Sequence, residues 1–115
     1  MTEKMPLLDR KALDRLVLDV GLETTQMLLA SLKTEIESSG RKLSEYFAVR
    51  DRRLLENQAH ALKSAARSFG ALQLGESCLA LEEAARSSDF SKLTSLMREF
   101  QQVSAATLIE YGFDS

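Results

Sequence analysis

The chain has 115 residues, 44% hydrophobic and 28% charged, enough for one ordinary domain whose core needs no disulfide or metal staple. Lys and Arg number 15 against 17 Asp and Glu, a formal net charge of -2, so no basic excess exists to displace counterions and broad nucleic-acid binding is disfavoured. One cysteine and one histidine allow neither an internal disulfide nor a zinc site, and no run of some twenty apolar residues or leader-like start is present, so a cytoplasmic protein is expected.

Residues 1–8 hold the only proline, Pro6, and read as a short arm before the first helix, for which Asp9 is a plausible cap. Leu13, Leu16, Val17 and Val20 mark one face of that helix, and Gly21 ends it. From Glu23 to Ala48 the same period continues through Leu29, Leu32, Ile36, Leu43 and Phe47. Gly40 is its one weak point, because glycine inside a helix costs roughly 1 kcal/mol relative to alanine; one long helix is the favoured reading. Met27 falls opposite Leu29 and is expected on the surface.

After a tight turn around Val49–Asp51, residues 51–70 form an amphipathic helix with Leu55, Ala59, Leu62, Ala66 and Phe69 on one stripe. Asp51 caps it, Gly70 ends it, and the two alanines allow close helix packing. A further helix runs from Leu72 to Ser87 with Leu74, Cys78, Leu81 and Ala85 inward, Cys78 being a small buried hydrophobe. Residues 87–89 are expected to form a capping turn. Phe90, Leu93, Leu96, Phe100 and Val103 open a last helix reaching Tyr111, and the tail 112–115 is expected to fray. With five helical stretches, short connections and no period-two segment, the expected fold is all-α: an antiparallel four-helix bundle plus a short N-terminal helix, in a single domain expected to be a monomer.

His60 lies about 200° around the axis from Leu62, on the wet face of its helix. Lys63, Ser64 and Arg67 follow at i+3, i+4 and i+7, so one nucleophile sits beside two cations on a modestly basic face. On spacing alone a lone surface histidine is more often solvated than functional. Glu56 at i−4 could share a metal with His60, but no second such pair exists. There is no GxxxxGK[ST] loop or other nucleotide motif, so no kinase or ATP-binding activity is expected.

The run HALKSAARSFGA at residues 60–71 resembles the signature of histidine-containing phosphotransfer (HPt) domains, in which a His is followed by Lys at i+3, small residues, and Gly ten positions on. Leu74, Cys78, Leu81, Glu82 and Glu83 resemble the family's next helix, and the resemblance covers nearly the whole chain. It is closest to the small stand-alone LuxU-like type of quorum-sensing phosphorelays. Ser64 departs from the family, many members of which have Gly there.

The resemblance implies the same four-helix bundle and a phosphocarrier that accepts a phosphoryl group on His60 from an aspartyl-phosphate. The donor would be the receiver domain of a hybrid sensor histidine kinase, and the group would pass on to the receiver aspartate of a response regulator. The Mg²⁺ needed for transfer would then belong to the receiver, with no cofactor on this chain. Lys63, and less directly Arg67, would neutralise the phosphoryl oxygens, and Ser64 could donate to one of them. By resemblance Glu82 could accept the Nδ1 proton of His60 and hold its tautomer. Met27 and Leu28, with exposed residues of the first helix, are candidates for an apolar ring that docks the receiver. Three other readings are weighed: a helical adaptor that binds an acidic partner with His60 incidental; an enzyme using His60 as general base, for which no convergent nucleophile is evident; and an HPt-like domain that binds receivers without transfer, against which the presence of both His60 and Lys63 argues.

Overall fold

The structure is a computed structural model describing residues 5–87 and 90–113. Five helices follow in order: α1 (Arg10–Val20), α2 (Leu22–Ala48), α3 (Arg52–Ser68), α4 (Leu72–Arg86) and α5 (Phe90–Glu110). Helices α2 to α5 form the antiparallel bundle, α3 packing most extensively on α4, while α1 lies against α2. Of the expected capping turn at 87–89 only Ser87 is described, and of the tail only Gly112 and Phe113; the rest of both lies outside the described residues.

The caps fall where the sequence signs them. Asp9 accepts from the Lys11 N–H at 3.1 Å, and Asp51 accepts from the Leu54 N–H at 3.1 Å. At the end of α3, Gly70 takes a φ of +75° while Gly70 N–H reaches Arg67 O and Ala71 N–H reaches Ala66 O, the paired bonds that close a helix through a left-handed residue. The turn before α3 adds a feature not foreseen: Arg50 also has a positive φ, +56°, and its guanidinium lies 5.1 Å from the centroid of the Phe90 ring.

Helix α2 is continuous through Gly40, and its 27 residues account for about 40 Å of the molecule's 43 Å length. Gly40 faces the Phe100 ring of α5, with room between them for a Cβ. The core is built by Leu32, Ile36 and Leu43 of α2, Leu55 and Leu62 of α3, Leu74 and Leu81 of α4, and Leu93 and Phe100 of α5, with Ala59 and Ala66 as the thin positions of α3. Phe69 is half-buried at the edge of the stripe.

Of the arm before α1, residues 1–4 lie outside the described residues, and the part next to α1 is pinned. Leu8 is buried and pairs with Ala71 as an isolated antiparallel bridge, Asp9 N–H bonds Gly70 O at 2.7 Å, and Leu72 N–H bonds Leu7 O at 2.9 Å. Helix α4 has no side-chain cap, so Leu7 satisfies an amide that would otherwise be orphaned at its start. Tyr111 joins the same turn from α5, donating its hydroxyl to Phe69 O at 2.7 Å, and burial pushes its phenol up to about 12.

Candidate functional site

Two faces of two helices meet around His60. The α3 register puts the core stripe inward, so His60 stands outward with its side chain 60% exposed. The exposed positions around it on α3 are Asn57, Ala61, Ser64 and Arg67, and the neighbours within one turn carry no large apolar group. The imidazole stands in a clearing open to an approaching partner.

From α4, Glu82 reaches across the seam. It occupies the turn between Cys78 and Ala85, on the buried side of the helix, and is only 5% exposed. A carboxylate taken so far out of water must be paired, and it is. Its Oε2 lies 2.8 Å from His60 Nδ1, and its Oε1 accepts from Lys63 Nζ at 2.5 Å. Arg86, one turn further along α4, donates Nη2 to Oε2 at 3.3 Å and Nε to Glu56 Oε2 of α3 at 3.0 Å. Burial alone would push Glu82 up, but the hydrogen bonds from Lys63 and His60 and their charges outweigh it, holding the carboxyl below its ordinary value. The Arg86 guanidinium is held above its ordinary value, first by its hydrogen bond to Glu56.

An ionised carboxylate only accepts hydrogen bonds. The proton between Glu82 and His60 therefore belongs to Nδ1. In the neutral ring Nε2 then carries the lone pair, on the edge turned from Glu82. The arrangement presents a nucleophilic nitrogen whose tautomer is set by a buried neighbour.

The structure sorts the residues singled out from the sequence. His60, Lys63 and Glu82 come together. Lys63 is not a free cation on the wet face: its side chain is 13% exposed and its ammonium is engaged by Glu82. Arg67 turns toward α4, its guanidinium 3.9 Å from Glu76 and its stem over Gly75, where a Cβ would meet Arg67 Cγ at 3.2 Å. The Ser64 hydroxyl bonds its own helix at His60 O, 3.3 Å away. Met27 is exposed and Leu28 half-buried. They sit ten residues up α2 from the level of His60, fixed by the Gln58 to Ser39 hydrogen bond, which is about 15 Å along the bundle axis.

Sequence reasoning passed over Arg86, and it considered Glu56 only as a metal ligand. The legible signal was the pair of i,i+4 spacings, Glu56 to His60 and Glu82 to Arg86, each with the acid N-terminal to the basic group. Among the described residues no three His, Cys, Asp or Glu side chains gather as a metal-binding group. Cys78 lies fully buried behind the site, where burial pushes its thiol up to about 12.

Comparison with protein-family models matches residues 17–106 to the Hpt domain. Among solved structures the chain is similar to the histidine-containing phosphotransfer protein B (HptB) of Pseudomonas aeruginosa PAO1, with a TM-score of 0.88 and 25% identity over 94% of this chain and 93% of that one. No curated protein matches the chain.

Proposed function

Because this chain belongs to the Hpt domain family, histidine phosphocarriers of two-component systems, we propose that it is a phosphorelay intermediate. It takes a phosphoryl group from the aspartyl-phosphate of one receiver domain, on a hybrid sensor kinase, and gives it to the aspartate of a second, on a response regulator. The observation that carries this reading is the hydrogen bond from His60 Nδ1 to the buried Glu82 beneath an exposed ring.

In the forward step Nε2 attacks phosphorus in line with the aspartyl oxygen. The P–O bond breaks as the P–Nε2 bond forms, and the electron pair leaves with the aspartate carboxylate. The Nδ1 proton stays on the ring, and Glu82 accepts its hydrogen bond as positive charge develops on the imidazole. The return step runs the same geometry backward onto the second aspartate. Lys63, one turn beyond His60 on α3, and Arg86, one turn beyond Glu82 on α4, are each engaged by Glu82, and they favour the phosphoryl oxygens through the positive field they add beside the ring. Mg²⁺ is supplied by the receiver in this scheme. The small side chains of Ala61 and Ser64 leave room for the receiver's acidic pocket, and Met27 and Leu28 with Leu18 and Leu22 contribute an apolar margin.

The test is transfer from a phosphorylated receiver of the same cell to wild type and His60→Gln. Acid-labile, base-stable phosphate should appear on wild type only, as the receiver loses its own. Receiver binding without label on either protein would overturn the relay and favour the adaptor reading.

A further inference from the structure

His60 has one carboxylate across the helix seam and another one turn back on its own helix, and they have opposite consequences. Glu82 accepts from Nδ1 and leaves Nε2 free. Glu56 stands at i−4 on the same helix, a spacing at which an acid and a histidine pair across one turn. A carboxylate bonded to the outer edge of the ring would favour the other tautomer, with the proton on Nε2 and no lone pair to attack phosphorus. Something has to choose between the two.

Arg86 contacts both. Its Nε binds Glu56 Oε2 at 3.0 Å and its Nη2 binds Glu82 Oε2 at 3.3 Å, the same oxygen that lies on Nδ1. The planar guanidinium makes the two contacts through different nitrogens, a geometry an ammonium cannot reproduce. Lys63 is on the other oxygen of Glu82. We propose that Arg86 is a positioning residue for the phosphoryl acceptor. One arm keeps Glu82 seated on Nδ1, and the other draws Glu56 off the imidazole, so that Nε2 remains unprotonated and open. This rests on the phosphocarrier reading for its purpose, but not for its observation.

As an exposed ion pair, Arg86 to Glu56 is worth little to stability, so variants at both positions should fold, which helical circular dichroism checks. His60 is the only histidine in the chain, so its tautomer can be read without ambiguity by ¹⁵N NMR of the unphosphorylated protein. Its reactivity can be read by ³¹P NMR with phosphoramidate, a small donor that needs no receiver docking.

Wild type should show the Nδ1–H tautomer and form Nε2-phosphohistidine alone. Arg86→Met should shift the population toward Nε2–H and slow labelling by roughly fivefold, the equilibrium weight of one net hydrogen bond. Arg86→Lys, which keeps the charge but not the fork, should resemble Arg86→Met. Adding Glu56→Gln to Arg86→Met should restore much of the Nδ1–H tautomer and of the rate, because the competing carboxylate is gone. Wild-type tautomer and rate in Arg86→Met or Arg86→Lys would overturn the proposal, as would a double variant no better than Arg86→Met. Tautomers that follow this pattern in a wild type that takes no phosphate would support the sorting by Arg86 and count against the relay instead.

Discussion

Glu82 shows how a single side chain ties folding to chemistry. Its carboxyl is held below its ordinary value in the folded protein by Lys63 and His60, so as pH falls the unfolded chain takes up the proton first. The stabilisation is therefore complete above about pH 4.3 and drains away as pH drops through the lower folded value. Glu82→Gln should cost about 1–2 kcal/mol at neutral pH, and its urea midpoint should depend less on pH below 4.3 than that of wild type; parallel slopes would mean Glu82 is not the linked group. The sequence singles out Glu82 only by resemblance, although its spacing carries a further signal. Cys78, Leu81, Glu82 and Ala85 fall on one inward face, and a charge on such a face requires a partner. What spacing along one helix does not reveal is which residue of another helix answers it. The choice among Lys63, His60 and Arg86 depends on the offset between α3 and α4, set by how closely the alanine and glycine positions let the two approach.

At the scale of elements, the helices and their caps follow from period and end chemistry, and the one ambiguous position resolves by contact. A Cβ at Gly40 would sit 3.8 Å from the Phe100 ring, an ordinary contact. Gly40→Ala should therefore stabilise the protein by up to about 1 kcal/mol, read as a raised urea midpoint; a lowered midpoint would show that α2 needs flexibility there. Gly70 is the opposite case. Its φ of +75° and the approach of a Cβ to Asp9 O and Ala12 Cβ at 3.0 Å leave no room, and Gly70→Ala should lower the midpoint by an amount equivalent to about 1–3 kcal/mol. The arm was less legible. Leu7 and Leu8 are too short a segment to show a period, so their pairing with Leu72 and Ala71 appears only once α4 is placed.

Across the whole molecule, exposed apolar side chains concentrate where α1 hands over to α2: Leu18, Val20, Leu22 and Met27. His60 lies about 15 Å from the level of Met27, within the footprint of a partner domain about 30 Å across. If this margin docks receivers, Leu18→Asp with Met27→Asp should slow labelling by a phosphorylated receiver at least tenfold while leaving phosphoramidate labelling unchanged. Equal slowing with both donors would place the defect at the imidazole and remove the margin from the docking surface. Among the described residues no helix is long and apolar enough to cross a membrane.

The turn at Phe69–Ala71 draws in Leu8 and Asp9 from one end of the chain and Tyr111 from the other, and Arg10 meets Glu110 beside it in an ion pair. Entry and exit therefore share one pole of the bundle. The imidazole stands some ten residues back along α3, about 15 Å from that pole. In the language of tethers, anything attached at either end hangs from the same side. The reactive nitrogen would stay clear of both attachments and free to turn from one partner to the next.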